Sequence, residues 1–141
     1  MSSVRHHRPS SEMTHITHTA TVAVPVSDQD RALAFFTQTL GFEQRADFEY
    51  ADGARWVEVA PKGAASQLTL VTGRPTGIET GIVFNSSDLA ADHAALPDAD
   101  PIITTKDPVV HWAGLVLAGI PDMFLFRDPD QNSYLIVAQA E

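Results

Sequence analysis

The stretch "VAVPVSDQDRALAFFTQTLGF", residues 22–42, has a looser second copy in "IVFNSSDLAADHAAL", residues 82–96. With Asp28 set against Asp88, Val22, Val24 and Val26 fall on Ile82, Phe84 and Ser86. Each copy opens as an alternating run, the pattern of a strand buried on one face. Each run ends in Ser-Asp, whose short side-chain oxygens can accept from the free N–H groups of a helix's first turn. After the first cap, Ala32, Phe35, Phe36 and Leu40 lie at helical spacing on one side. Gly41 follows as the left-handed residue that closes that helix. After the second cap, Ala91, Ala94, Ala95 and Leu96 repeat the pattern, and Pro97 helps to stop it.

Further strands follow each helix. The first half offers residues 42–50, the turn Asp52-Gly53, "RWVEVA", a Lys62-Gly63 turn and "QLTLV". Asp-Gly between alternating segments is a strong hairpin signal. The second half offers "PIITT", a longer irregular stretch over 106–121, "MFLFRD", the turn "PDQN" and "SYLIVA". The closing strands align, so that Thr69 falls on Leu135. Each half therefore reads β-α-β-β-β. One helix covers only one face of a four-stranded sheet, and the other face needs a partner. The expected fold is α+β, with two tandem βαβββ modules forming a curved, cupped mixed sheet and a helix packed outside each module. Residues 1–14 read as a disordered polar tail and 15–141 as one domain, with modules at 17–73 and 78–139. If the halves join side by side, the faces bearing Thr21, Ala23 and Pro25, and Gly81, Val83 and Asn85, enclose a space suited to a ligand.

Composition removes several classes of function. The 141 residues include no cysteine, so disulfides, thiolate nucleophiles and thiolate-ligated zinc are excluded. The net charge is −9 and no Lys/Arg cluster stands outside the first residues, so no nucleic-acid partner is expected. No apolar run approaches the ~20 residues that cross a bilayer. The opening residues lack the apolar core of a secretory signal, and a cytoplasmic location is the default expectation.

The phrases "VAVPVSDQDRALAFFTQTLGF" and "FLFRDPDQNSYLIV" resemble the vicinal oxygen chelate superfamily. That superfamily includes glyoxalase I, bleomycin-resistance proteins, fosfomycin-resistance enzymes and extradiol dioxygenases. The resemblance implies paired βαβββ modules in a homodimer, and it says less about activity, because the fold hosts several chemistries. Family enzymes place up to four metal ligands, usually His or Glu, on four cavity strands. Carried over, those positions fall on Thr21, Thr69, Gly81 and Leu135. None is a strong ligand for a divalent cation, and Glu79 is the one nearby carboxylate. No metal or other cofactor is therefore expected. Family members commonly have Gly where Gln131 stands, and a left-handed backbone there costs about 1 kcal/mol without it. Asn132 is the residue expected to take that conformation.

The candidate ligand cleft comprises Thr21, Phe36, Trp56, Glu58, Thr69, His111, Trp112, Phe124, Phe126 and Leu135. If Val57 and Val59 pack beneath the helix, Trp56 and Glu58 face the space, with Glu58 opposite Phe124. Glu58 and His111 are candidates for an acid/base pair, whereas a pairing of Glu58 with Arg55 would make it structural. Aromatic walls suit planar ligands. His15 and His18 precede the first strand, and His93 reads as a solvated helix position. No Gly-rich phosphate loop and no nucleophile elbow appears. The functional expectation is a protein that binds or sequesters a small organic molecule. A lyase, isomerase or dioxygenase with an atypical or absent metal centre is the alternative.

Overall fold

The computed structural model describes residues 13–104, 110–112, 115–117 and 121–139, the two three-residue segments by backbone alone. Residues 1–12, which hold most of the expected tail, lie outside the described residues. The first module runs β1 (Thr21–Pro25), α1 (Gln29–Ala34), β2 (Glu43–Ala51), β3 (Ala54–Ala60) and β4 (Gln67–Val71). Its sheet has the order β1-β4-β3-β2, with β1 parallel to β4. The second module opens with β5 (Glu79–Ser86) and α2 (Leu89–Ala94), and it closes with β8 (Met123–Arg127) and β9 (Ser133–Ala138). Its sheet has the order β5-β9-β8, again with the first and last strands parallel. The fold is α+β and built from tandem βαβββ modules, as the repeated phrase predicts.

Both helix caps form as expected. Asp28 accepts from Arg31 N at 3.0 Å and Asp88 accepts from Ala91 N at 3.1 Å. The first helix differs in its second half. Residues Phe35–Thr39 form a π-helical turn, with Leu40 N donating to Phe35 O and Phe42 N to Phe36 O. Thr37 Oγ1 donates back to Leu33 O at 2.7 Å, a bond that competes with the regular ladder and loosens it. Gly41 ends the segment at φ +74°.

In the second copy of the first inner strand, "PIITT", the described residues form a single bridge, between Ile103 and Met123. Pro101 has no N–H to give to a ladder, which limits pairing there. Within the stretch expected to be irregular, β6 (Val110–Trp112) and β7 (Leu115–Leu117) pair antiparallel.

One core serves both modules. Val24, Val26, Phe36, Val57, Val59 and Leu70 from the first half meet Leu96, Phe124, Phe126, Tyr134 and Ile136 from the second. Phe36 meets Tyr134 edge-on at 6.0 Å, and Tyr134 stacks on Phe126 at 4.9 Å. Each fully buried aromatic contributes about 1.5–3 kcal/mol of hydrophobic stabilisation. The two sheets thus meet through their helix-bearing faces, and among the described residues β1 and β5 lie in separate sheets, each with a strand partner on one side. The described strands of the two halves do not join side by side.

Candidate functional site

Strand alternation fixes which residues share a face. Val57 and Val59 point into the core, so Trp56 and Glu58 lie on the outer face of the first sheet, as expected. Glu58 lies opposite Thr69 on one side and Ala46 on the other. Thr69 is 2% exposed, and its hydroxyl bonds that of Thr21 at 2.6 Å. Toward the hairpin the face turns aromatic. Phe48 lies opposite Trp56, and the Tyr50 ring meets Trp56 edge-on at 6.1 Å.

Arg55 does not pair with Glu58. It lies on the other face, where its guanidinium binds Asp47 at 2.7 Å and Asp30 at 2.8 Å. That hydrogen bond holds the Asp47 carboxyl below the usual carboxylate range, and burial opposes the shift only in part. Glu58 has no hydrogen-bonded or ionic partner among the described residues.

On the second sheet the outer face carries Met123, Leu125, Leu135 and Val137, which cluster with Ile103. The register corrects one expectation. Eleven positions separate Glu58 from its neighbour Thr69, but ten separate Leu125 from Leu135. The counterpart of Glu58 is therefore Leu125, not Phe124. A one-residue slip turns a strand over, so Phe124 and Phe126 face the core at 0% and 1% exposure. Phe36, also at 0%, is core as well. The outer faces hold Thr21, Trp56, Glu58, Thr69 and Leu135, but not these three phenylalanines. His111 and Trp112 sit on β6, and their side chains lie outside the described residues.

Three further candidates have plain placements. Gly81 takes φ +74° at an irregularity where β5 spends extra residues against β9. Glu79 is exposed at the start of β5. His93 is half-buried rather than freely solvated, since its ring meets Phe124 edge-on at 4.9 Å and Nε2 is 2.9 Å from Asp100 O. Among the described residues no three His, Asp or Glu side chains converge as a metal site would need.

Sequence reasoning missed a cavity of about 410 Å³ on the core side, between the modules. Leu40, Phe42, Ile82, Phe84, Leu96 and Phe126 contribute its apolar walls. The π-helical turn shapes one edge of it through Thr39 and Leu40. No charge pattern marks it, and only the meeting of two modules creates it.

The "DPDQN" phrase ties the modules together. Asp128 accepts from Asp130 N, Asn132 N, Asn132 Nδ2 and the Tyr134 hydroxyl, all within 3.1 Å. Asn132 Nδ2 also donates to Pro25 O at the end of β1. Its Oδ1 accepts from Gly77 N and Ile78 N just before β5. One buried amide thus bridges the exit of one leading strand and the entrance of the other. The left-handed residue of the turn is Gln131, at φ +67°, and not Asn132.

Two βαβββ modules sharing one core, with a D-P-D-x-N turn locking them, define the class. The model of the Glyoxalase/Bleomycin resistance protein/Dioxygenase superfamily matches residues 15–134. The chain belongs to that superfamily. It is 29% identical over 120 residues to the uncharacterized protein YetH of Bacillus subtilis (strain 168), covering 82% of this chain and 93% of that one. It is similar to the crystal structure of TnmS3, an antibiotic binding protein from Streptomyces sp. CB03234. That match has a TM-score of 0.71 and 29% identity, over 90% of this chain and 99% of the other. A glyoxalase/bleomycin resistance protein from the same organism matches at a TM-score of 0.64 and 30% identity, over 85% and 99% of the two chains. No helix among the described residues is long and apolar enough to cross a membrane.

Proposed function

We propose that the protein binds and sequesters a small organic molecule on the outer faces of its sheets, without a metal, and that a homodimer completes the site. The observation that carries this reading is the Thr21–Thr69 pair. At the corner where family enzymes carry ligands, two neutral hydroxyls bond each other at 2.6 Å. The equivalent corner of the second sheet is Leu135, packed with Met123 and Leu125. Gly81 brings no donor at all. Two hydroxyls, a glycine and a leucine do not fit a divalent cation, which takes three or four His or carboxylate groups. Thr69, Met123 and Leu135 are buried, so what remains open is the aromatic stripe of Phe48, Tyr50 and Trp56, which recognises by shape and stacking. The likeness to an antibiotic binding protein supports the same reading.

The sheet edges favour a dimer. Among the described residues β1 and β5 each have a strand partner on one side only. Val22 is 36% and Val83 45% exposed on those edges, an arrangement that invites pairing with another copy. Setting the β1 edge of one copy beside the β5 edge of another would bring the outer faces into one trough.

The test is a melting-shift screen of planar organic molecules, run with metal analysis of untagged protein. A ligand stabilises by mass action the state that binds it. The expected hits disappear in Leu125→Arg on the outer face and survive in Ile82→Trp, which fills the inner cavity. The opposite pattern would move the site to the cavity. Stoichiometric bound metal would overturn the reading in favour of an enzyme.

A further inference from the structure

Resting on the outer-face reading above, we infer that the ligand is a cation, specifically a planar aromatic body carrying a positive charge at neutral pH, and that Glu58 selects it. Arg31 is bound to Asp130 and Ser27, Arg45 to Glu43 and two backbone carbonyls, and Arg55 to Asp30 and Asp47. Each of these three arginines is matched. Glu58 is half-buried on the outer face and carries no counter-charge among the described residues. A carboxylate partly withdrawn from water loses solvation that nothing in the described fold returns. A bound cation would return it.

The neighbours of Glu58 fit that occupant. Trp56 lies two residues away on the same face, with Tyr50 and Phe48 beyond it. A cation over an indole face is attracted by the ring quadrupole, most strongly when desolvated. The flat body would lie along the aromatic stripe, with its charge toward Glu58. The Thr21–Thr69 pair flanks Glu58 but brings no charge. An anionic ligand would meet an unmatched carboxylate, so the same residue rejects it.

The probes are 9-aminoacridine, cationic at mildly alkaline pH, and acridine, which has the same rings and is neutral there. Binding is followed by fluorescence in wild type, Glu58→Gln and Glu49→Gln. Glu49 is opposite Arg55 on β3 and exposed, so its substitution removes the same net charge from the other face. The expected result is a preference of about tenfold for the cation in wild type and in Glu49→Gln, equivalent to roughly 1.4 kcal/mol. In Glu58→Gln the preference falls to about one, acridine affinity is unchanged and the melting temperature is preserved. Raising the salt weakens the cation only. A preference that persists in Glu58→Gln, or disappears equally in Glu49→Gln, overturns the assignment to Glu58. Equal binding of both probes by wild type overturns the cation inference and leaves the outer-face reading standing. Failure of wild type to bind either probe overturns both.

Discussion

The Tyr134 hydroxyl donates to Oδ2 of Asp128 at 2.6 Å, and both residues are buried in the core that joins the modules. Asp128 is also the acceptor for the turn's own N–H groups, so the phenol completes a shell of donors around a buried carboxylate. Tyr134→Phe removes one donor and is expected to cost about 1–3 kcal/mol in urea unfolding. Asp128→Ala strands several donors at once and is expected to cost more. Equal losses for the two would contradict the shell.

The same contact sets a pH signature. Burial, followed by the Asp128 carboxylate, pushes the ionisation of Tyr134 well above the ordinary phenol range. The proton is therefore held more tightly folded than unfolded. That contribution is fully present below the unfolded phenol value of about 10 and fades as pH rises above it. The Tyr134 phenolate should appear in ultraviolet absorbance only as the protein unfolds in alkali. The native titration curve of Tyr134→Phe should match wild type.

Gln131 occupies a left-handed backbone position that its side chain disfavours. Gln131→Gly is expected to stabilise by about 0.5–1 kcal/mol, with relief of strain exceeding glycine's added unfolded-state entropy. Gln131→Ala should leave stability nearly unchanged. The urea midpoint distinguishes them.

Acid should weaken the protein partly through Asp47, whose carboxyl is held low by Arg55. Here the folded value lies below the unfolded one. The contribution is present above an unfolded value near 4 and is lost as pH falls below it. Melting temperatures taken from near-neutral to acidic pH should fall less steeply in Asp47→Asn than in wild type. The effect is small, because the pair is largely solvent-facing.

Val83→Lys places a charge on the exposed edge strand of the second module. If β5 pairs with another copy, the variant should be monomeric in light scattering where wild type is dimeric. A monomeric wild type would end the dimer reading.

Most of the fold was legible because the duplication repeats its punctuation. Ser-Asp caps, the Asp52-Gly53 turn and the alternating valines all act locally, and they act the same way in the structure. The errors arise where a single residue changes the count. The connection from Leu125 to Leu135 is one residue shorter than its counterpart, and that turned Phe124 and Phe126 from the cleft into the core. No composition or period reveals such a difference. Pro101 was visible, but its effect on "PIITT" depends on a ladder that only the fold supplies. The inner cavity was invisible for a related reason, since its walls come from segments about forty residues apart. The Glu58 side chain could be placed on its face from the alternation of Trp56, Val57, Glu58 and Val59. That Arg55 prefers Asp30 and Asp47 required the helix to be in position.

The Asn132 bridge gives the two halves unequal duties. The amide that fastens the end of β1 to the approach to β5 belongs to the second copy, and the first copy has only a Lys62-Gly63 turn in the corresponding place. A tandem duplication held by a one-sided clasp can no longer drift symmetrically. A substitution in the second copy's turn would therefore loosen both halves, whereas one in the first copy's turn would act locally. Transposing the halves in a circular permutant would keep the clasp. A chain made of two first copies would have none.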